Sequence, residues 1–111
     1  MEDNKPEIRI SAKNIELTQL LKDIVTKKFG DINRFFSALK VIEVYLKSEN
    51  RLHYCEVILI IKGKEDVVID VAREEIVEAI DVAVNKCERQ LRRLKEKTID
   101  QSRDVKRKKD N

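Results

Sequence analysis

The stretch from Glu74 to Lys97 constrains this fold more than any other. It contains neither glycine nor proline, and Ile76, Ile80, Ala83, Val84, Cys87, Leu91 and Leu94 recur in it at spacings of three and four. That spacing puts them on one face of an α-helix. At about 100° per residue, Lys86, Arg89, Arg93 and Lys97 form a second stripe beside the apolar one, while Glu74, Asp81 and Glu88, with Arg92 among them, lie on another side. The helix begins acidic and ends basic, as its dipole prefers. The rest of the chain must therefore supply apolar surface for one side of this helix and leave a cationic end in solvent.

Alternating segments supply that surface. Glu7–Ala12 places Ile8, Ile10 and Ala12 on one side of a short strand. Thr18 can cap a first helix predicted to run to Phe35 or Phe36. Leu21, Ile24, Val25, Lys28, Ile32 and Phe35 lie near its inner face, Gly30 falls inside it, and Lys22, Lys27 and Arg34 point away from the core. Three more strands follow: Val41–Lys47 with Ile42, Val44 and Leu46 inward; Leu52–Lys62 with Cys55, Val57, Leu59 and Ile61 inward; and Asp66–Ala72 with Val67, Ile69 and Val71 inward. Ser48–Arg51 and Lys62–Glu65 read as hairpin loops, the second with Gly63 free to take positive φ. The order β-α-β-β-β-α predicts an α+β two-layer sandwich, a four-stranded sheet with both helices on one face. Residues 1–97 are expected to make the domain. Residues 98–111, whose only aliphatics are Ile99 and Val105, are expected to be a basic tail without fixed structure. On the outer sheet face, Ile58, Ile60 and Val68 read as strand formers in preference to a contact patch.

At 111 residues the chain is one domain by length, able to bury a core without staples. Cys55 and Cys87 fall on predicted apolar faces and read as free buried thiols in preference to a disulfide or a ligand pair. No apolar run is long enough to cross a membrane as a helix, and the start is not a signal peptide, which points to the cytoplasm. The only histidine is His53, the only glycines are Gly30 and Gly63, and no Cys-x-x-Cys, His-Glu-x-x-His or Gly-x-Ser-x-Gly occurs. Neither an enzyme nor a cofactor, a metal or a small-molecule substrate is expected. What remains is charge. Residues 1–85 carry 13 cationic and 16 anionic side chains, whereas residues 86–111 carry 11 and 5. A cationic end on a mildly acidic body suggests a polyanion, nucleic acid before membrane. No aromatic stands among the arginines, which argues against stacking on single-stranded bases and for reading a folded RNA by backbone and shape.

Three stretches resemble the ribosome hibernation-promoting factor family, also called the ribosome-associated inhibitor or sigma-54 modulation family. Ile8–Thr18 is similar to the family's first strand and the turn after it. Lys22-Asp23, Lys27-Lys28 and Phe35-Phe36 resemble its first helix. Ala79-Ile80-Asp81, followed by Lys86-Cys87-Glu88-Arg89-Gln90-Leu91 and a run of Lys and Arg, is the clearest likeness. Val77, where the family usually has an aromatic, and Ala12, where it often has glycine, depart from the pattern. The resemblance implies a fold like that of double-stranded RNA-binding domains. It also implies a short form that binds the small ribosomal subunit's decoding channel; separately, the isolated protein is expected to be a monomer. There it would occlude mRNA and the aminoacyl- and peptidyl-site tRNAs and inhibit translation under stress. The positions matching the family's rRNA-facing residues are Lys13, Lys22, Lys28, Lys86, Arg89, Arg92, Arg93 and Lys95. Two other readings stay open, a generic double-stranded RNA-binding module and a protein-interaction regulator working through the exposed sheet face.

Overall fold

The structure, a computed structural model, describes residues 5–32 and 36–110, those from 96 onward as helix backbone only. Its elements are β1 (Glu7–Lys13), α1 (Gln19–Phe29), β2 (Leu39–Glu49), β3 (Leu52–Ile61), β4 (Val67–Arg73) and α2 (Ile76–Asp110). The predicted element order holds, and the strands lie side by side as β1-β2-β3-β4. β1 is parallel to β2, with α1 as the crossover, and the two following pairs are antiparallel hairpins.

Strand register turns the sequence alternation into rows. Ile8, Ile42, Leu59 and Val67 stand side by side across the sheet, as do Ile10, Val44, Val57 and Ile69, and Ala12, Leu46, Cys55 and Val71. Leu21, Val25 and Phe29 of α1 and Ala79, Ile80, Ala83, Val84, Cys87 and Leu91 of α2 close over these rows in one buried cluster. Among the described residues no polar or charged side chain is buried. Each large aliphatic so buried contributes about 1.5–3 kcal/mol of transfer free energy, so the core alone can hold both helices on the sheet. Phe29 and Ala79, both fully buried, belong to this core although the sequence pattern did not single them out. Phe29 is the residue one turn beyond Val25, and Lys28 only borders the apolar face.

Element ends differ from expectation by a residue or two at several strands, β2 beginning at Leu39, and differ most in three places. Thr18 caps α1 as predicted, its Oγ1 accepting from the Leu21 amide at 3.1 Å, but the helix ends at Phe29 and not at Phe35 or Phe36. Gly30 is the cap residue, and a Cβ there would stand 2.7 Å from the Thr26 carbonyl oxygen. Only glycine allows that approach. Arg34 and Phe35 lie outside the described residues. The β2–β3 connection is tighter than the four-residue loop expected: Glu49 pairs with Leu52, leaving Asn50 and Arg51 as the turn, with φ of 54° and 68°. Positive φ at both turn positions matches the right-handed twist of the flanking strands. Finally, the backbone of α2 continues past Lys97 to Asp110. Residues 98–110 contain no glycine or proline and are rich in Lys, Arg and Asp, so no helix-breaking residue stops the helix.

Candidate nucleic-acid interface

The apolar stripe of α2 faces the sheet, which leaves the helix two flanks. On one flank Lys86, Arg89 and Arg93, all exposed, follow one another at spacings of three and four. With Gln90 they line an open groove of about 330 Å³ whose other wall is Val68, Ile69 and Asp70 of β4. β4 is an edge strand, so this groove opens along the side of the sheet. None of the three cations forms an ion pair with another described residue. Side chains so spaced on a helix have Cβ atoms about 5–6 Å apart, which lets them act on neighbouring phosphates. Arginine grips a phosphate with two parallel N–H donors, and lysine acts as a point charge.

The other flank meets α1. Lys28 reaches across and pairs with Asp81, Nζ to Oδ1 at 2.8 Å. Glu88, Arg92 and Lys95 follow Asp81 at seven, eleven and fourteen residues, spacings that keep them on this side. The flank therefore mixes both signs of charge. Lys22 stands elsewhere again. It is one turn before Thr26, which borders a depression beside Ile8 of β1 on the far side of α1. Lys13 ends β1 on the open face of the sheet, opposite Lys47.

Of the eight candidate residues, then, the structure gathers Lys86, Arg89 and Arg93 in one groove. Lys28, Arg92 and Lys95 lie along the α1 side of α2, and Lys22 and Lys13 are apart. The two helices do not merge their cations into a single surface, because the Lys28–Asp81 pair occupies the seam between them. Gln90 was not among the candidates. It adds two donors and an acceptor at the centre of the cationic flank, and its position between Arg89 and Leu91 was the available signal.

Groups that could do covalent chemistry are engaged otherwise. The Nδ1–H of His53 donates to the Glu74 carbonyl at 2.9 Å and ties β3 to the loop before α2. Cys55 and Cys87 are free and buried. Burial pushes both thiols up to about 12, so neither is a thiolate at neutral pH. Among the described residues no cluster of His, Cys, Asp or Glu could hold a metal, and no helix is long and apolar enough to cross a membrane.

Comparison with known proteins adds the following. The pattern of the family described as sigma 54 modulation protein / S30EA ribosomal protein matches residues 8–99. A ribosome hibernation promoting factor of Pseudomonas putida is 34% identical over 91 residues, which span 82% of this chain and 88% of the relative. The factor of that name from Escherichia coli K12 is 30% identical, over 82% of this chain and 95% of its own. Among solved structures, the N-terminal domain of Thermus thermophilus Protein Y superposes with a TM-score of 0.71 at 25% identity, covering 80% of this chain and 97% of that one. A ribosomal subunit interface protein from Coxiella burnetii gives the same TM-score at 14% identity, a likeness of fold.

Proposed function

The chain belongs to the sigma 54 modulation protein / S30EA ribosomal protein family, and from that premise we propose that it is a cytoplasmic ribosome hibernation factor, a non-enzymatic inhibitor of translation. In this reading the protein occupies the decoding channel of the small ribosomal subunit and excludes mRNA and the aminoacyl- and peptidyl-site tRNAs. The observation that carries it is the groove between α2 and β4, where three cations without ion-pair partners among the described residues line one wall of an open channel. Lys86, Arg89 and Arg93 make the principal contacts to rRNA phosphates. Lys13, Lys22, Lys28, Arg92 and Lys95 contribute at the periphery, where the bound RNA or ribosomal proteins reach them. Residues 1–97 are the binding domain, and 98–111 are a cationic extension of it. Occlusion needs only shape and charge, so no catalytic group takes part.

Co-sedimentation with isolated small subunits across a salt series, with and without mRNA and initiator tRNA, tests this reading. Binding should fall steeply with salt, because each phosphate neutralised releases counterions. It should also be competed away by mRNA and tRNA together. Salt-insensitive binding, or preference for naked duplex RNA over the subunit, would refute it.

A further inference from the structure

The face of the sheet turned away from the helices has its own chemistry. Ser11, Tyr45, Glu56 and Asp70 make one row across it, and Lys13, Lys47, Tyr54 and Ala72 make the next. Glu56 and Asp70 are therefore directly opposed on β3 and β4, with Cβ atoms about 4.5–5.5 Å apart, a placement in which like charges destabilise a sheet. Neither has an ion-pair or hydrogen-bond partner among the described residues. Of the cations on this face, Lys13 at the end of β1 has no ion-pair partner among the described residues, whereas Arg9 and Lys47 are engaged. Arg9 is held by Glu7 at 3.0 Å and Glu43 at 3.1 Å, and Lys47 is paired with Glu49 at 3.2 Å and lies 4.9 Å above the Tyr54 ring. Tyr45 and Glu56 border two adjoining shallow depressions, one reaching Ser11 and Ile58, the other Tyr54 and Asp70. Both tyrosines of the chain are on this face.

We propose that this open sheet face docks an arginine-rich, extended segment of a protein partner, with Glu56 and Asp70 receiving a guanidinium between Tyr45 and Tyr54. Two adjacent carboxylates repel phosphate, so the surface around Glu56 and Asp70 favours a cation over nucleic acid. The planar guanidinium can bridge two carboxylates while stacking on a tyrosine ring, which an ammonium does less well. The depressions are shallow and continue from β1 to β4, which fits an extended chain laid across the strands and leaves a compact ligand unenclosed. The lysine already over Tyr54 shows, within this molecule, a cation on the same kind of ring. The inference concerns the face opposite the helices; Asp70 also borders the α2 groove, so the two sites meet at β4 and Glu56 is the residue that belongs to this face alone.

With no tryptophan in the chain, intrinsic fluorescence comes from Tyr45 and Tyr54 alone. The test is a titration of the full chain at low salt with an eight-residue peptide alternating Arg and Ser, read by that fluorescence and by amide chemical shifts. Saturable change is expected, with shifts on the β2, β3 and β4 residues of this face. Glu56→Gln with Asp70→Asn should weaken the peptide by about tenfold or more, because neither charge-assisted hydrogen bond can then form. The same peptide with Lys for Arg should bind several-fold more weakly. Both substitutions are isosteric, at a half-buried Glu56 and an exposed Asp70, and relief of like-charge repulsion should leave the melting temperature unchanged or raised. Glu56→Gln alone should leave small-subunit binding intact. Peptide shifts that fall elsewhere in the wild-type protein, affinity indifferent to the double substitution, or equal affinity for spermidine would each overturn the proposal.

Discussion

The two flanks of α2 have similar numbers of cations and differ in what stands beside them. Toward β4, Lys86, Arg89 and Arg93 look across a groove at an edge strand and have no ion-pair partner among the described residues. Toward α1, Asp81 and Glu88 are interleaved with Arg92 and Lys95, and Lys28 closes onto Asp81. One flank keeps its charge available for a ligand, and the other uses part of its charge to join two helices. A count of basic residues on a helix therefore does not distinguish the two flanks. The placement of carboxylates between them does.

The strongest way to break the comparison is to remove the ground on which both flanks stand. Leu91 is fully buried on the stripe between them. Leu91→Ala should cost about 2–5 kcal/mol through forfeited transfer energy and the cavity left behind. Chemical denaturation measures this, and binding on both flanks should weaken together. A loss under about 1 kcal/mol would mean that α2 is held by something other than its apolar stripe.

Next in size is a contrast between the flanks themselves. Lys86→Ala, Arg89→Ala and Arg93→Ala together should weaken small-subunit binding by about 100-fold or more at moderate salt. The slope of log affinity against log salt should become shallower by two to three units, roughly 0.7–0.9 for each phosphate no longer neutralised. Arg92→Ala with Lys95→Ala should have a smaller effect in the same sedimentation assay. None of these side chains is buried, so thermal stability should stay near wild type. Equal losses from the two sets would erase the distinction between the flanks.

How much of this was legible beforehand depends on the residues in question. The alternation in β2, β3 and β4 set which side chains face the helices, even with Ile58, Ile60 and Val68 on the outer face, because a one-residue slip would turn every inward side chain outward. The α2 stripe was equally plain. Gly30 was visible as an interruption, but the reason no larger residue fits there is the close approach of the Thr26 carbonyl, which only the folded backbone brings near. Residues 98–110 lack an apolar face, so their pattern suggested no structure, although their helix-compatible composition carries the backbone of α2 onward to Asp110. The division of the eight candidate cations was hidden for another reason. It depends on which side of α2 the first helix packs, and the pairing of Lys28 with a residue 53 positions later is a tertiary fact. Nor could one strand alone reveal that Glu56 faces Asp70, since that follows from the β3–β4 register.

Alkaline pH loosens the stripe between the flanks without touching either. Burial raises Cys55 and Cys87 from 9.0 to about 12, so the folded chain holds its thiol protons over a range in which the unfolded chain releases them. Stability from this source is complete below pH 9 and is lost as pH rises toward 12. Denaturant midpoints under reducing conditions should fall between pH 9 and pH 11, and Cys87→Ala with Cys55→Ala should flatten that decline while lowering the midpoint at neutral pH. An unchanged slope in the double variant would assign the alkaline loss to other groups.

The smallest effect sharpens the comparison most. Asp81→Asn removes the partner of Lys28 while keeping the side chain's size. Lys28 and Asp81 are 36% and 49% exposed, so the stability lost should be no more than about 1 kcal/mol. Binding discriminates further. If the α1 flank touches phosphate when the protein is bound, a released Lys28 adds a cation there. Small-subunit affinity should then rise a few-fold, and the salt slope should steepen by nearly one unit. If affinity and slope stay at wild-type values while Lys86→Ala lowers both, the seam between the helices is structural and the polyanion lies along β4 alone.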